Sequence, residues 1–347
     1  MKTTYTTLSR LLFLTVLILL FLPSCQKDSR ITSKASIPKN LRSFPGGTSY
    51  FLGVPITLAS PINLSLQNNI TISGDSINGG SVPCITLHHC NTVHITKCKL
   101  MNSTLQGIVL DSCTNVLIDS CFISNVSAGV YAHRGSSVRV NYNQFFNMVG
   151  PFPSGNFVQF NNIIGSYNRI SYNKCEDAPS TSGAGDGISL YQSSGLSTDQ
   201  LYVVGNWIRG GGTNTGSSGM AGIVAGDVGG SWQNINGNIL VNTGYVGIQQ
   251  QGGSNISINN NSIYSANLPW SGAGLVSANY SGTPSTNNTI GNNKVNWYAG
   301  YYSIQRDTVW KPGSGSNSNA RPINWDTNIP NASINASILP TTIITWK

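Results

Sequence analysis

The sequence predicts an all-β chain wound into a solenoid, and three observations carry that expectation. Good helix formers are scarce while Val, Ile, Thr, Ser, Asn and Gly dominate, with 38 glycines in 347 residues and only 9% charged side chains. A short strand pattern then recurs: Gln106-Gly107-Ile108-Val109-Leu110-Asp111, Ala128-Gly129-Val130-Tyr131-Ala132-His133, Asp186-Gly187-Ile188-Ser189-Leu190-Tyr191 and Val246-Gly247-Ile248-Gln249-Gln250-Gln251. Between these copies lies a register of asparagines: Asn143, Asn173, Asn206, Asn238, Asn261 and Asn293, each with an apolar residue two positions later. Self-similarity at about 22 to just over 30 residues is the mark of stacked repeats, each unable to bury its apolar face alone.

Taken in chain order, residues 1–24 read as an export signal. Lys2 and Arg10 precede the apolar run Leu11–Leu22, which is long enough for a signal core and short for a membrane span. Leu22-Pro23-Ser24-Cys25 resembles the bacterial lipobox, with Pro23 a departure from the usual small residue. The resemblance implies cleavage before Cys25 and lipidation of its sulfur, so the partner of this end is outer-membrane lipid. Residues 25–45 form a basic tether, holding Lys27, Arg30, Lys34, Lys39 and Arg42 against Asp28. The formal +8 charge therefore resides largely in segments outside the fold: residues 46–347 carry 12 basic and 10 acidic side chains. A nucleic-acid surface needs that charge on a folded face, so nucleic acid is excluded as a partner. The expected location is a lipoprotein of the outer membrane, exposed at the cell surface.

Residues 46–68 are expected to cap the solenoid, 69–305 to form it, and 306–347 to make a C-terminal cap and tail. Coils of this length, with tiny strands and an Asn at the turns, resemble the right-handed parallel β-helix of the pectate-lyase-like superfamily. About eight or nine coils fit residues 69–305. In such a stack Asn lies on Asn, each amide bonding the next, and Ser120 is expected to hold the same place one coil before Asn143. Ile108, Val130, Val158, Ile188, Ile223, Ile248 and Leu275 become one inward column. Cys90 and Cys113, like Cys98 and Cys121, are 23 residues apart and fall on adjacent coils, as disulfides or as stacked thiols.

If Ile108 and its equivalents point inward, the next residue and the one two beyond point out. One outward column then contains Tyr131, Gln159, Ser189 and Gln249, the other His88, Asp111, His133, Asn161 and Tyr191. The loops preceding this strand, Val149–Gly155, Glu176–Gly185, Gly210–Met220 and Ser265–Gly272, are the long ones and would wall a groove. Amides and hydroxyls suit sugar hydroxyls and tyrosine rings suit pyranose faces, so a polysaccharide is the expected partner. His88, Gln159, Asn161, Tyr191, Gln249, Arg209 and Trp270 are the candidate contacts, Arg209 as a clamp on an acidic sugar and Trp270 as a stacking platform at the rim.

Two chemistries are open, lyase chemistry first and hydrolysis as the runner-up. A uronate β-elimination needs a cation, a base and sometimes a tyrosine acid, which Arg134, His133 and Tyr131 would supply, with Asp111 orienting the imidazoles. Hydrolysis needs paired carboxylates, for which Asp186 and Asp227 stand at opposite ends of neighbouring strands. The polygalacturonase-type pattern of an Asp-Asp doublet, Gly-His-Gly and Arg-x-Lys is missing. No metal-ligand motif is present, and calcium is the one cofactor left open. The rival expectation is a non-catalytic glycan-binding or adhesin-like surface protein.

Overall fold

A computed structural model describes residues 49–51, 54–151, 155–178, 181–183, 185–211 and 221–346. Cys25, the signal segment and the tether lie outside the described residues. By compactness the chain divides after Leu41, and the second unit, 42–347, holds every element below.

That unit is a parallel β-helix with three sheets. The first runs from Ile62–Ser65 through Ile85–His88, Ile108–Asp111, Val130–Asn141, Val158–Ile163, Ile188–Tyr191, Ala221–Ala225, Val246–Gln250 and Ala273–Ser277 to Thr308–Trp310. The second runs from Asn68–Ser73 to Thr289–Gly291, and the third from Val54–Ala59 to Lys294–Ala299. Val130–Asn141 turns a corner and serves the first two. Parallel pairing thus already joins Val54–Ala59 to Asp75–Gly80 and still holds at Thr308–Trp310, so coils extend beyond 69–305 at both ends.

The expected inward column is present in register: Ile108, Val130, Val158, Ile188, Ile223, Ile248 and Leu275 are paired in turn and buried. They belong to one continuous core that also takes in Phe145, Phe157, Phe160 and Trp297. The corners are made by residues in the left-handed region, among them His89, Ser112, Arg134, Asn162 and Gln192 at the exit of the first sheet. A sharp bend after a strand needs that conformation, which Asn tolerates better than most residues.

The asparagine ladder is continuous. Asn143 donates its side-chain amide to Asn173 at 3.1 Å, and Asn173, Asn206, Asn238 and Asn261 each donate onward at 2.9 Å. Asn293 extends it to Asn328 at 2.7 Å. Below Asn143 the ladder position is held by Cys121, whose backbone N–H donates to Asn143 Oδ1, and not by Ser120, which occupies the left-handed residue before it. Cys84, Cys90, Cys98, Cys113, Cys121 and Cys175 are buried free thiols, so the stacked pairs are not bridged.

The outer side of the third sheet is occupied. Leu339, Ile343 and Ile344 of the C-terminal tail pack on Phe122 and Val241, against Phe146, Trp207 and Tyr264. Gln144 fixes the tail's end, its Oε1 accepting from the N–H groups of Thr345 and Trp346. Removal of that apolar strip from water holds the tail down.

Candidate functional site

With the third sheet covered, the outer face of the first sheet carries the expected groove residues. Its register follows the alternation of the strands: His88 pairs Asp111, Asp111 pairs His133, His133 pairs Asn161, and Asn161 pairs Tyr191. The neighbouring column brings Tyr131, Gln159, Ser189 and, through Val224, Gln249 into line.

At one end Asp111 gathers three partners. Its carboxylate lies 3.5 Å from His88 Nδ1, 3.3 Å from His133 Nδ1 and 2.8 Å from an Arg134 guanidinium nitrogen. Arg134 reaches back because it sits at a left-handed corner immediately after the strand. Burial raises the Asp111 carboxyl, but the bond and charge of Arg134 with the two histidines outweigh it and hold the group below its ordinary value. Tyr131 and His133 stack with ring centres 6.1 Å apart, and Asn161 donates to the Tyr131 hydroxyl at 3.0 Å.

Further along stand Asp186 and Asp227. Asp227 Oδ2 accepts from the Ser189 hydroxyl at 3.1 Å, which fixes it on the outer side of the strand. Asp186 Oδ1 accepts from the backbone N–H of Ala221 at 2.9 Å. Ala221, in register with Asp186, shares an outward apolar cluster with Val224, so Asp186 faces the same side. Burial, and then the charge of Asp227, push the Asp186 carboxyl up to about 7. Burial also raises Asp227, against the pull of its Ser189 bond. These are two carboxyls on one face, both raised by burial, Asp186 to about 7.

Two expected contacts lie elsewhere. Arg209 is in the third sheet, where it pairs Glu176 at 3.3 Å and donates to the carbonyls of Thr341 at 2.9 Å and Pro340 at 2.5 Å. It clamps the tail, not a substrate. Trp270 lines a separate cavity of about 360 Å³ together with Arg209, Phe146 and Leu268. Parts of three expected wall loops, residues 152–154, 179–180, 184 and 212–220, lie outside the described residues. Among the described residues, no cluster of three or more His, Cys, Asp or Glu side chains is arranged to hold a metal ion.

The sequence reading missed two features. His94 Nε2 pairs Asp119 at 2.8 Å on the outer side of the second sheet; the coil register sets Leu117 opposite His94 and Asp119 opposite Thr96, so the pair forms diagonally and the spacing alone does not mark it. Asp177 is fully buried, accepts from Met148 N–H at 2.6 Å, and is pushed up to about 7 by burial. It lies just past a strand end, where alternation gives no guide.

The fold defines the class, a right-handed parallel β-helix. Residues 60–225 match the family described as the right handed beta helix region. Among solved structures, the chain is similar to the DFA-IIIase of Arthrobacter chlorophenolicus A6 in complex with GF2, at 13% identity over 76% of this chain and 59% of that one, with a TM-score of 0.41. A mutant tailspike protein of E. coli bacteriophage HK620, in complex with a pentasaccharide, gives 12%, 79%, 58% and 0.45. The catalytic unit of a thermostable alpha-1,3-glucanase of Streptomyces thermodiastaticus gives 13%, 76%, 52% and 0.27. The chain thus spans less than two thirds of each of these proteins. No curated protein matches it.

Proposed function

We propose that this is a surface-anchored protein that cleaves an acidic polysaccharide lying along the first sheet, with Asp186 and Asp227 as the hydrolytic pair. The observation that carries the reading is the pair itself: two carboxyls on the groove face, near enough that the charge of Asp227 helps raise Asp186 to about 7. Asp186, protonated, gives its proton to the glycosidic oxygen as the bond to the anomeric carbon breaks. Asp227, ionised, assists the attack at that carbon, and water supplies the hydroxyl that replaces the departing sugar. Tyr131, Gln159, Asn161, Tyr191 and Gln249 lie along the same face to receive the rest of the chain. β-Elimination at His133, Tyr131 and Arg134 is less favoured, because the Arg134 cation is already spent on Asp111. Anchoring is supported by the apolar run Leu11–Leu22 and the Cys25 that follows it.

The test is a panel of polysaccharides scored for both new reducing ends and ultraviolet absorbance. Reducing ends without absorbance, lost by at least about a hundredfold in Asp186→Asn and Asp227→Asn and retained in His133→Ala, is the expected result. An absorbing product that disappears in His133→Ala would move the chemistry to the Asp111 cluster. Binding without turnover, weakened at Tyr131→Ala and Tyr191→Ala, would make the protein a glycan-binding module.

A further inference from the structure

The groove face continues beyond Asp227. Three strands past Ser189, through Val224 and Gln249, it reaches Val276, a step of about 14 Å at parallel-strand spacing. There the residues before, in and just after the last strand, Thr308–Trp310, border a half-open cavity of about 290 Å³. Its floor is apolar: Val276 belongs to the outward cluster of Ala273, Val246 and Ala278, with Val309 packed beside it. Tyrosines and cations make the walls. The Tyr245 and Tyr302 hydroxyls are 2.6 Å apart, the Arg306 guanidinium carbon lies 4.5 Å from the centre of the Tyr302 ring, and Lys311 Nζ donates to the Tyr280 hydroxyl at 3.2 Å.

The charge of this cavity is unbalanced. Ion pairs among the described residues join His88, His94, His133, Arg134, Arg169, Arg209 and Arg321 to carboxylates, and neither Arg306 nor Lys311 takes part in any. Two cations therefore face one half-open, partly apolar space with no ion-paired carboxylate among the described residues, where a bound anion is attracted more strongly than it is in bulk water. Gln249 and Gln251 line the same space and offer amides to hydroxyl groups. The Tyr302 hydroxyl is itself held below its ordinary value, first by the bond from Tyr245 and then by Arg306, with Lys311 adding to the effect.

We propose that this cavity is a subsite for one acidic sugar unit, its carboxylate or sulfate held between Arg306 and Lys311 and its ring against the tyrosines. The inference rests on the glycan reading above and locates where the acidic group of the polymer is recognised. A short oligosaccharide bridges the distance to Asp186 and Asp227, so the subsite sets which bond of the polymer reaches the pair.

The experiment is isothermal titration of the folded protein with an oligogalacturonate, a sulfated galactan oligosaccharide and neutral oligosaccharides of equal length. One acidic ligand should bind at least about tenfold more tightly than its neutral counterpart, and Arg306→Gln and Lys311→Gln should each remove about tenfold of that affinity, or 1.4 kcal/mol. The preferred acidic ligand identifies the anion as carboxylate or sulfate. Equal affinity for neutral and acidic ligands, or unaltered binding in both cation variants with the circular dichroism of the wild type, overturns the subsite. Full turnover by Asp186→Asn would overturn the cleavage reading alone, since the titration needs no turnover.

Discussion

Replacing Asn206 with leucine tests the stack at its centre. Asn206 is buried and makes contacts in both directions. Its Oδ1 accepts from the backbone N–H of Asn173 at 3.0 Å and from the Asn173 side-chain amide at 2.9 Å. Its own amide donates to the Ile170 carbonyl and to Asn238 Oδ1, both at 2.9 Å. Leucine strands the Asn173 N–H inside the wall of the helix, whereas the Ile170 carbonyl lies in a strand paired to Tyr202–Val204 and keeps its ladder bond. Asn173 Nδ2 keeps its bond to Val140, and Asn238 Oδ1 keeps the backbone N–H of residue 206. One orphaned buried group gives an expected loss of about 1–3 kcal/mol. Asn317→Leu is the control: it removes one exposed bond, from the Gly282 N–H, and should cost less than about 0.5 kcal/mol. Equilibrium urea unfolding followed by circular dichroism measures both, and faster hydrogen exchange at the Asn173 amide localises the damage. A difference between the two variants below about 0.5 kcal/mol would refute the ladder as a source of stability.

Two further outcomes follow from the buried carboxyl and from the N-terminal segment. Asp177 is protonated in the folded protein up to about 7 but ionises near 3.8 when unfolded, so the unfolded state binds fewer protons between those values and stability falls as pH rises through that window. The loss is on the order of 4 kcal/mol by pH 8; Asp186, also raised to about 7, adds a fall of the same sign, so Asp177→Asn should remove about half of the drop in urea stability between pH 5 and 8, and an equal drop in the variant would rule the group out. Asp111 and Asp199, held low, act oppositely, their contribution lost only as pH falls below the ordinary carboxylate range. Cys25→Ser should move the protein from the detergent phase to the aqueous phase, and unchanged partitioning would remove the lipid anchor.

The inner column and the ladder were legible because a solenoid repeats its environment: each coil meets only its neighbours, so one spacing places every equivalent residue. Reading stopped short where the repeat meets something else. Cys121 stands in the asparagine column because a small side chain fits there, and no asparagine pattern marks it. Asn328 closes the ladder from a segment that looked like cap, although Asn328-Ile329-Pro330 repeats the step of an Asn and an apolar residue two places on. Phe122, Phe146, Trp207 and Tyr264 are large apolar residues with outward positions in the third sheet. A row of that kind implies a cover, and Arg209, in the same sheet, belongs with it and not with the groove.

The groove floor follows from alternation, and alternation fails at the corners where the charges are arranged. Arg134 belongs to neither outward column: its left-handed backbone turns it onto Asp111, and one ion pair changes a free cation into a spent one. Asp186 and Asp227 lie just before and just after strands of adjacent coils, and Arg306 and Lys311 flank the last strand of the first sheet. This distribution has a physical reason. Equivalent positions in a stack see near-identical surroundings, so two carboxyls in one column would titrate alike, whereas acid-base chemistry needs two that differ. Burial at the strand entrance, with the charge of Asp227, raises Asp186 against the pull of the Ala221 N–H, and burial raises Asp227 against the pull of the Ser189 hydroxyl at the exit. The repeat can supply a straight floor for a polymer, but the carboxyl pair and the charged subsite must be built from residues that break it.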